Sequence, residues 1–250
     1  MIKTGLVSIT FRKLAADEIV SLVCEAGLDG IEWGGDVHVP HGDIATAERV
    51  RDITIAAGLE VAAYGSYYHV GDDVSPKFDD VLASALALGA DKIRVWAGRG
   101  SDVVSRDERK RTIDDAKRIA DLAGEKGITL VSEWHGGTLT DTLESAKSFL
   151  ADVGRSNFKT YWQPPVGRPQ DVCLNEIKEI LPYIAGMHVF SWEETKRLPL
   201  EQHRDRWEEY LALGASAGDF YGLIEFVQDD SPQVFLRDAD VLKKMTAKTE

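Results

Sequence analysis

The feature that most restricts the fold is a recurring junction, in which a helix-period segment ends in glycine and a short apolar run follows at once. It reads Gly27-Leu-Asp-Gly-Ile-Glu-Trp33, Gly58-Leu-Glu-Val-Ala-Ala-Tyr64, Gly89-Ala-Asp-Lys-Ile-Arg-Val-Trp96 and Gly127-Ile-Thr-Leu-Val-Ser-Glu-Trp134. Glycine ends a helix cheaply because it accepts the left-handed conformation. Runs of four to eight residues rich in Val, Ile and Leu suit strands covered on both faces. The four glycines stand 31, 31 and 38 residues apart, about one βα unit each.

Counted from these junctions, strands are expected near residues 3–9, 29–33, 60–64, 91–96, 128–134, 158–162, 184–190 and 220–226. Helices are expected near 15–26, 43–57, 76–88, 106–126, 139–152, 171–181, 200–213 and 234–247. Within the longest, Ile113, Ala116, Ile119, Ala120 and Ala123 form an apolar stripe suited to packing on a sheet. Eight alternations mean a closed barrel or a long doubly wound sheet. No G-x-G-x-x-G follows the first strand, and eight units in 250 residues favour closure. The expectation is an α/β chain, a single (β/α)8 TIM barrel spanning residues 1–250 as one domain.

A formal charge of −13 argues against a nucleic-acid partner, whose affinity rests on Lys and Arg neutralising phosphates. No run reaches the roughly 18 apolar residues a membrane span needs, and the start of the chain turns polar too quickly for a secretory signal. Cys24 and Cys173 are too few for a disulfide framework and lack a metal-type spacing. Together these point to a reduced, cytoplasmic protein.

In such barrels the working groups lie at the C-terminal ends of strands. Trp33, Trp96, Trp134, Trp162 and Trp192 all fall at or just past predicted strand ends, an aromatic set suited either to capping the core or to holding a sugar ring. Four strand ends carry potential metal ligands: Glu133, Gln163, His188 and Glu225, from strands five to eight. An ionisable group in an apolar strand is costly unless paired or metal-bound. Two carboxylates, an imidazole and an amide oxygen suit one Mn²⁺, Mg²⁺, Co²⁺ or Zn²⁺ ion. Glu32 either contacts a substrate hydroxyl or pairs with Arg94. His135 shares a strand face with Glu133, and His69 follows strand three beside Tyr67 and Tyr68; His38 and His41 lie in the loop after strand two. Arg99, Arg168, Lys196 and Arg197 are expected in loops at the same end, and Gly136-Gly-Thr138 is expected to open helix five.

At these residues the chain resembles the xylose isomerase-like barrel superfamily of sugar isomerases, ketose 3-epimerases, inosose dehydratases and endonuclease IV. The likeness is carried by Glu133-x-His135, His188, Glu225 and Gly65-Ser-Tyr-Tyr68. In the small epimerase branch a Glu, an Asp, a His and a second Glu bind one metal, which corresponds to Glu133, Gln163, His188 and Glu225. Gln163 departs from that pattern by replacing a charged ligand with a neutral one, and Pro164 and Pro165 follow where the branch has a nearby His. The resemblance implies an isomerase or epimerase acting on a keto sugar or polyol ketone through a metal-stabilised enediolate, with Glu133 and Glu225 as acid and base and possible homo-oligomers. His135, His69, Tyr68, Trp96, Glu32 and Trp162 are then candidate substrate contacts. A lyase on the same scaffold, either a dehydratase or an enzyme eliminating from a 3-keto glycoside, is the nearest alternative. A repair nuclease, a non-catalytic sugar-binding subunit and a metal-free glycosidase using the two glutamates remain further alternatives.

Overall fold

The computed structural model describes residues 1–248, so the last two positions of the expected 1–250 span lie outside the described residues. Eight parallel strands close into a barrel: Ile2–Val7, Gly30–Gly34, Glu60–His69, Lys92–Trp96, Thr129–Glu133, Phe158–Trp162, Ile184–Val189 and Phe220–Ile224. The first strand pairs with both the second and the eighth, which closes the ring. The eight helices are Ala16–Ala26, Ile44–Ala56, Phe78–Leu88, Arg106–Gly124, Leu143–Val153, Gln170–Ile180, Arg204–Gly214 and Pro232–Thr246. The junction glycines behave as their chemistry requires: Gly27, Gly58, Gly89 and Gly127 all have φ between 64° and 79°.

Three boundaries differ most from the sequence expectation. The third strand runs on to His69 through a register shift between Gly65 and Tyr68, where Tyr67 takes a left-handed φ of 54°. Helix five starts at Leu143, because Thr142 caps it by accepting from Ser145 N, so Gly136–Thr138 belong to the preceding loop. Leu200–His203 form a 3₁₀ turn before helix seven. A short hairpin, Trp192–Glu193 with Lys196–Arg197, stands over the barrel mouth between strand seven and helix seven. No helix among the described residues is long and apolar enough to cross a membrane.

Two apolar layers result. The larger lies between strands and helices. The smaller fills the barrel with Val7, Ala63, Val131, Tyr161, Tyr221 and Leu223. Inward residues recur every second position, the period of a strand. Gly186 leaves room for the Tyr161 ring, since a Cβ there would stand 2.5 Å from it. Above this plug the inward positions turn polar.

Candidate metal centre and active-site cavity

Five strands deliver the polar set to one level. Arg94 and Glu133 come from strands four and five, His188 from strand seven, and Gln163 and Glu225 directly follow strands six and eight. Glu225 N bonds to Val189 O at 3.0 Å, which keeps the chain against strand seven at this level. Ligand atoms of Glu133, His188 and Glu225 all lie within 4.8 Å of one another, and the three residues are buried.

His188 Nδ1 lies 3.2 Å from Gln163 Oε1, 3.4 Å from Glu225 Oε2 and 4.0 Å from Glu133 Oε1. One nitrogen among three acceptor oxygens calls for a positive centre between them, either a proton or a cation. Burial alone would lower the His188 pKa, yet the pull of Glu225 and Glu32 overrides it and raises the value to about 10. The charges make the same demand. Glu32, Glu133 and Glu225 bring three negative charges and Arg94 one positive charge, so a neutral His188 leaves two negative charges in the buried cluster. A divalent cation balances that sum, and the mixed oxygen and nitrogen donors suit it. The residues present fit a metal ion.

Beneath the centre, Arg94 donates from Nε to Glu32 Oε1 at 2.6 Å and from Nη1 to Glu133 Oε2. Burial works against the charge of all three groups. The ion pairs win, holding Glu133 below the usual carboxylate range and Glu32 near 2, and keeping Arg94 charged. Gly65 makes this crossing possible, because a Cβ there would lie 2.8 Å from both Arg94 Nη2 and Glu32 Oε1. Glu32 is therefore an ion-pair partner below the centre and lines no part of the cavity.

The cavity over the centre encloses about 350 Å³. Its polar floor is Arg94, Glu133, Gln163 and Glu225, and its walls are Tyr67, Trp96, Phe190, Trp192 and Phe226. His135 stacks on Trp96 with centroids 4.7 Å apart and an 18° tilt, and its Nδ1 lies 2.7 Å from Gly136 O. That bond uses Nδ1 as donor and leaves Nε2 with a lone pair. The loop carrying His135 is pinned by Thr138 Oγ1 to His135 O and by Thr140 Oγ1 to Glu133 O, at 2.7 and 2.5 Å.

Several expected site residues lie elsewhere. Trp33, Trp134 and Trp162 are buried outside the barrel wall, because each directly follows an inward residue and strand neighbours face opposite ways. Trp162 packs edge-on against Trp207 and Tyr210, away from the cavity. Of the five tryptophans expected at the mouth, only Trp96 and Trp192 line it. The irregularity at Tyr67 turns Tyr68 outward to Asp115, 2.9 Å away, and puts Tyr67 in the wall instead. His69 sits edge-on to Trp96 but lines a separate cavity with Asp72, Arg99 and Arg111. His38 is held by Ser8 and Leu14, and His41 by Ser66. Sequence reasoning misses Arg12, Tyr67, Phe190 and Phe226. The left-handed backbones of Tyr67 and Phe226, φ 54° and 58°, carry no sequence signal in aromatic residues.

A closed eight-stranded parallel barrel with a buried Glu-His-Glu group at its C-terminal mouth defines the class as a TIM barrel whose strand ends could hold a metal ion. Residues 20–218 match the xylose isomerase-like TIM barrel family, and the chain belongs to it. It is 28% identical over 169 residues to a 3-dehydroshikimate dehydratase of Bacillus anthracis, covering 63% of this chain and 60% of that protein. The fold superposes on the probable 3-DHS dehydratase of Bacillus anthracis involved in petrobactin synthesis, with a TM-score of 0.80 at 20% identity, covering 97% and 99% of the two chains. It also superposes on a D-psicose 3-epimerase of Clostridium cellulolyticum H10, at 0.73 and 13%, covering all of both chains.

Proposed function

We propose that the protein is a metal-dependent lyase that removes water from a small cyclic hydroxy ketone. A divalent cation held by Glu133, Gln163, His188 and Glu225 would supply Lewis acidity toward the carbonyl oxygen and so acidify the neighbouring C–H. The observation that carries the reading is the unequal standing of the candidate proton carriers. Glu133 Oε2 accepts from both Arg94 and Trp96, and its Oε1 accepts from Gln163 Nε2 at 3.3 Å. A carboxylate so engaged, with a depressed pKa, is a ligand and a poor base. His135, with Nε2 free on the cavity wall, takes the proton instead.

Elimination needs no second carrier. The C–H electrons form the new C=C bond, the C–O bond of the hydroxyl on the next carbon breaks, and the proton taken by His135 leaves with that hydroxyl as water. Two-faced epimerisation by Glu133 and Glu225 would need Glu133 free. The flat aromatic walls of Trp96, Tyr67 and Phe226 suit a planar conjugated product better than a polyol, whose hydroxyls need many polar partners. The dehydratase relative supports the same choice, and the epimerase superposition keeps epimerisation as the second reading.

The test is to incubate Mn²⁺- or Mg²⁺-loaded protein with 3-dehydroshikimate and, separately, with ketohexoses. A rising ultraviolet chromophore with the first, lost in His135→Asn at unchanged metal content, supports the lyase. Stereoisomer formation from a ketohexose without a chromophore would replace it with the epimerase.

A further inference from the structure

We infer that Glu32 is a positioning residue for the metal-ligand histidine, acting from beneath the centre without touching substrate. The inference rests on the metal site proposed above. Glu32 Oε2 lies 3.2 Å from His188 Nε2, and both side chains are completely buried. The other Glu32 oxygen is taken by Arg94 Nε at 2.6 Å. The carboxylate is thereby fixed in rotation as well as in place.

A neutral imidazole has two tautomers, and the partner of one nitrogen decides which is present. A carboxylate facing Nε2 holds the proton there as donor and leaves the Nδ1 lone pair for a cation. Nδ1 is the atom that faces Gln163, Glu225 and Glu133. The opposite tautomer would point an N–H into the ligand cluster and a lone pair at Glu32, unfavourable at both ends. Tyr161 packs edge-on against the His188 ring, centroids 5.4 Å apart, and limits its tilt.

The surroundings match a built support rather than an incidental contact. Glu32 joins His188 to Arg94, and Arg94 in turn holds Glu133, so two of the four candidate ligands are braced through one carboxylate and one guanidinium. Gly65 leaves the space the crossing occupies. Such carboxylate–histidine–metal relays set ligand orientation, and their loss weakens metal binding about 10- to 100-fold.

The experiment is calorimetric titration of the metal-free native chain, Glu32→Gln and Glu32→Asp with MnCl₂, with far-UV circular dichroism as the folding control. It is accompanied by ¹⁵N NMR of histidine-labelled protein loaded with Mg²⁺. Expected are about 10- to 100-fold weaker Mn²⁺ binding by Glu32→Gln, and a native His188 protonated at Nε2 and not at Nδ1. Equal Mn²⁺ affinity in a folded Glu32→Gln variant overturns the role of Glu32 and leaves the metal site standing. A native chain that binds no Mn²⁺ overturns the metal site and this role with it. Should neither variant fold, the native NMR spectrum decides alone, and a proton on Nδ1 of His188 would overturn the inference.

Discussion

Arg94 clasps Glu133 from inside the barrel wall, and the same Glu133 oxygen also accepts the Trp96 indole N–H at 2.7 Å. Of the two roles the resemblance gives Glu133, metal ligand and acid–base group, this relationship favours the first over the second. It also gives the first prediction. Arg94→Met leaves Glu32 and Glu133 buried without their shared cation, and stability is expected to fall by about 3–5 kcal/mol in urea denaturation of the metal-free protein. Saturating Mn²⁺ is expected to shrink that loss, because a cation at the proposed centre restores positive charge beside Glu133. A loss under about 1 kcal/mol would mean the pair contributes little.

The proposed centre has neutral Gln163 where the resemblance implies an acidic ligand, one negative charge fewer. Gln163→Glu adds that charge at similar length. Mn²⁺ affinity is expected to rise by about tenfold, ~1.4 kcal/mol, in a calorimetric titration. An unchanged affinity would place residue 163 outside the coordination sphere.

Trp162 and Trp96 should separate cleanly. Trp162→Ala opens a hole against Trp207 and Tyr210 and is expected to cost about 3–5 kcal/mol of stability. Trp96→Phe keeps most of the cavity wall but removes the donor to Glu133, so its effect should fall on kcat/KM. The opposite distribution would move Trp162 into the functional site.

The pH dependence of stability should contain a contribution from Asp238, which is buried in helix eight and accepts from Leu200 N at 2.9 Å. Burial raises its pKa from 3.8 to about 6, outweighing the Leu200 N–H. The fold therefore favours the neutral acid, and this stabilisation is present below the unfolded value and lost as pH rises through about 6. Asp238→Asn cannot ionise and keeps an acceptor for Leu200. It is expected to match the native chain only below about pH 4, to draw ahead of it as pH rises through about 6, and to exceed it fully in melting temperature near about pH 8. Parallel pH profiles for the two proteins would remove Asp238 from the account.

The sequence makes the barrel legible because its signal is local. Each helix-ending glycine and the apolar run behind it need no distant partner. The buried group that could hold a metal is legible for a related reason, since Glu133, His188 and Glu225 are ionisable groups in or beside apolar strands. The aromatic reading fails by neglecting strand alternation: if Glu32, Glu133 and Tyr161 face inward, then Trp33, Trp134 and Trp162 must face out. The roles of Tyr67 and Tyr68 depend on a backbone irregularity that no residue type announces. Arg94 beside Glu32 is readable, but its second arm to Glu133 depends on inter-strand register, with Arg94 paired opposite Val131.

Gly65 touches no candidate ligand, yet its single hydrogen is what lets a guanidinium and a carboxylate cross behind it. One methyl group added there would have to displace a charge. Position 65 thus couples bulk to electrostatics: a substitution that looks like a change of size in the wall of strand three would be felt at the centre as a change of charge balance.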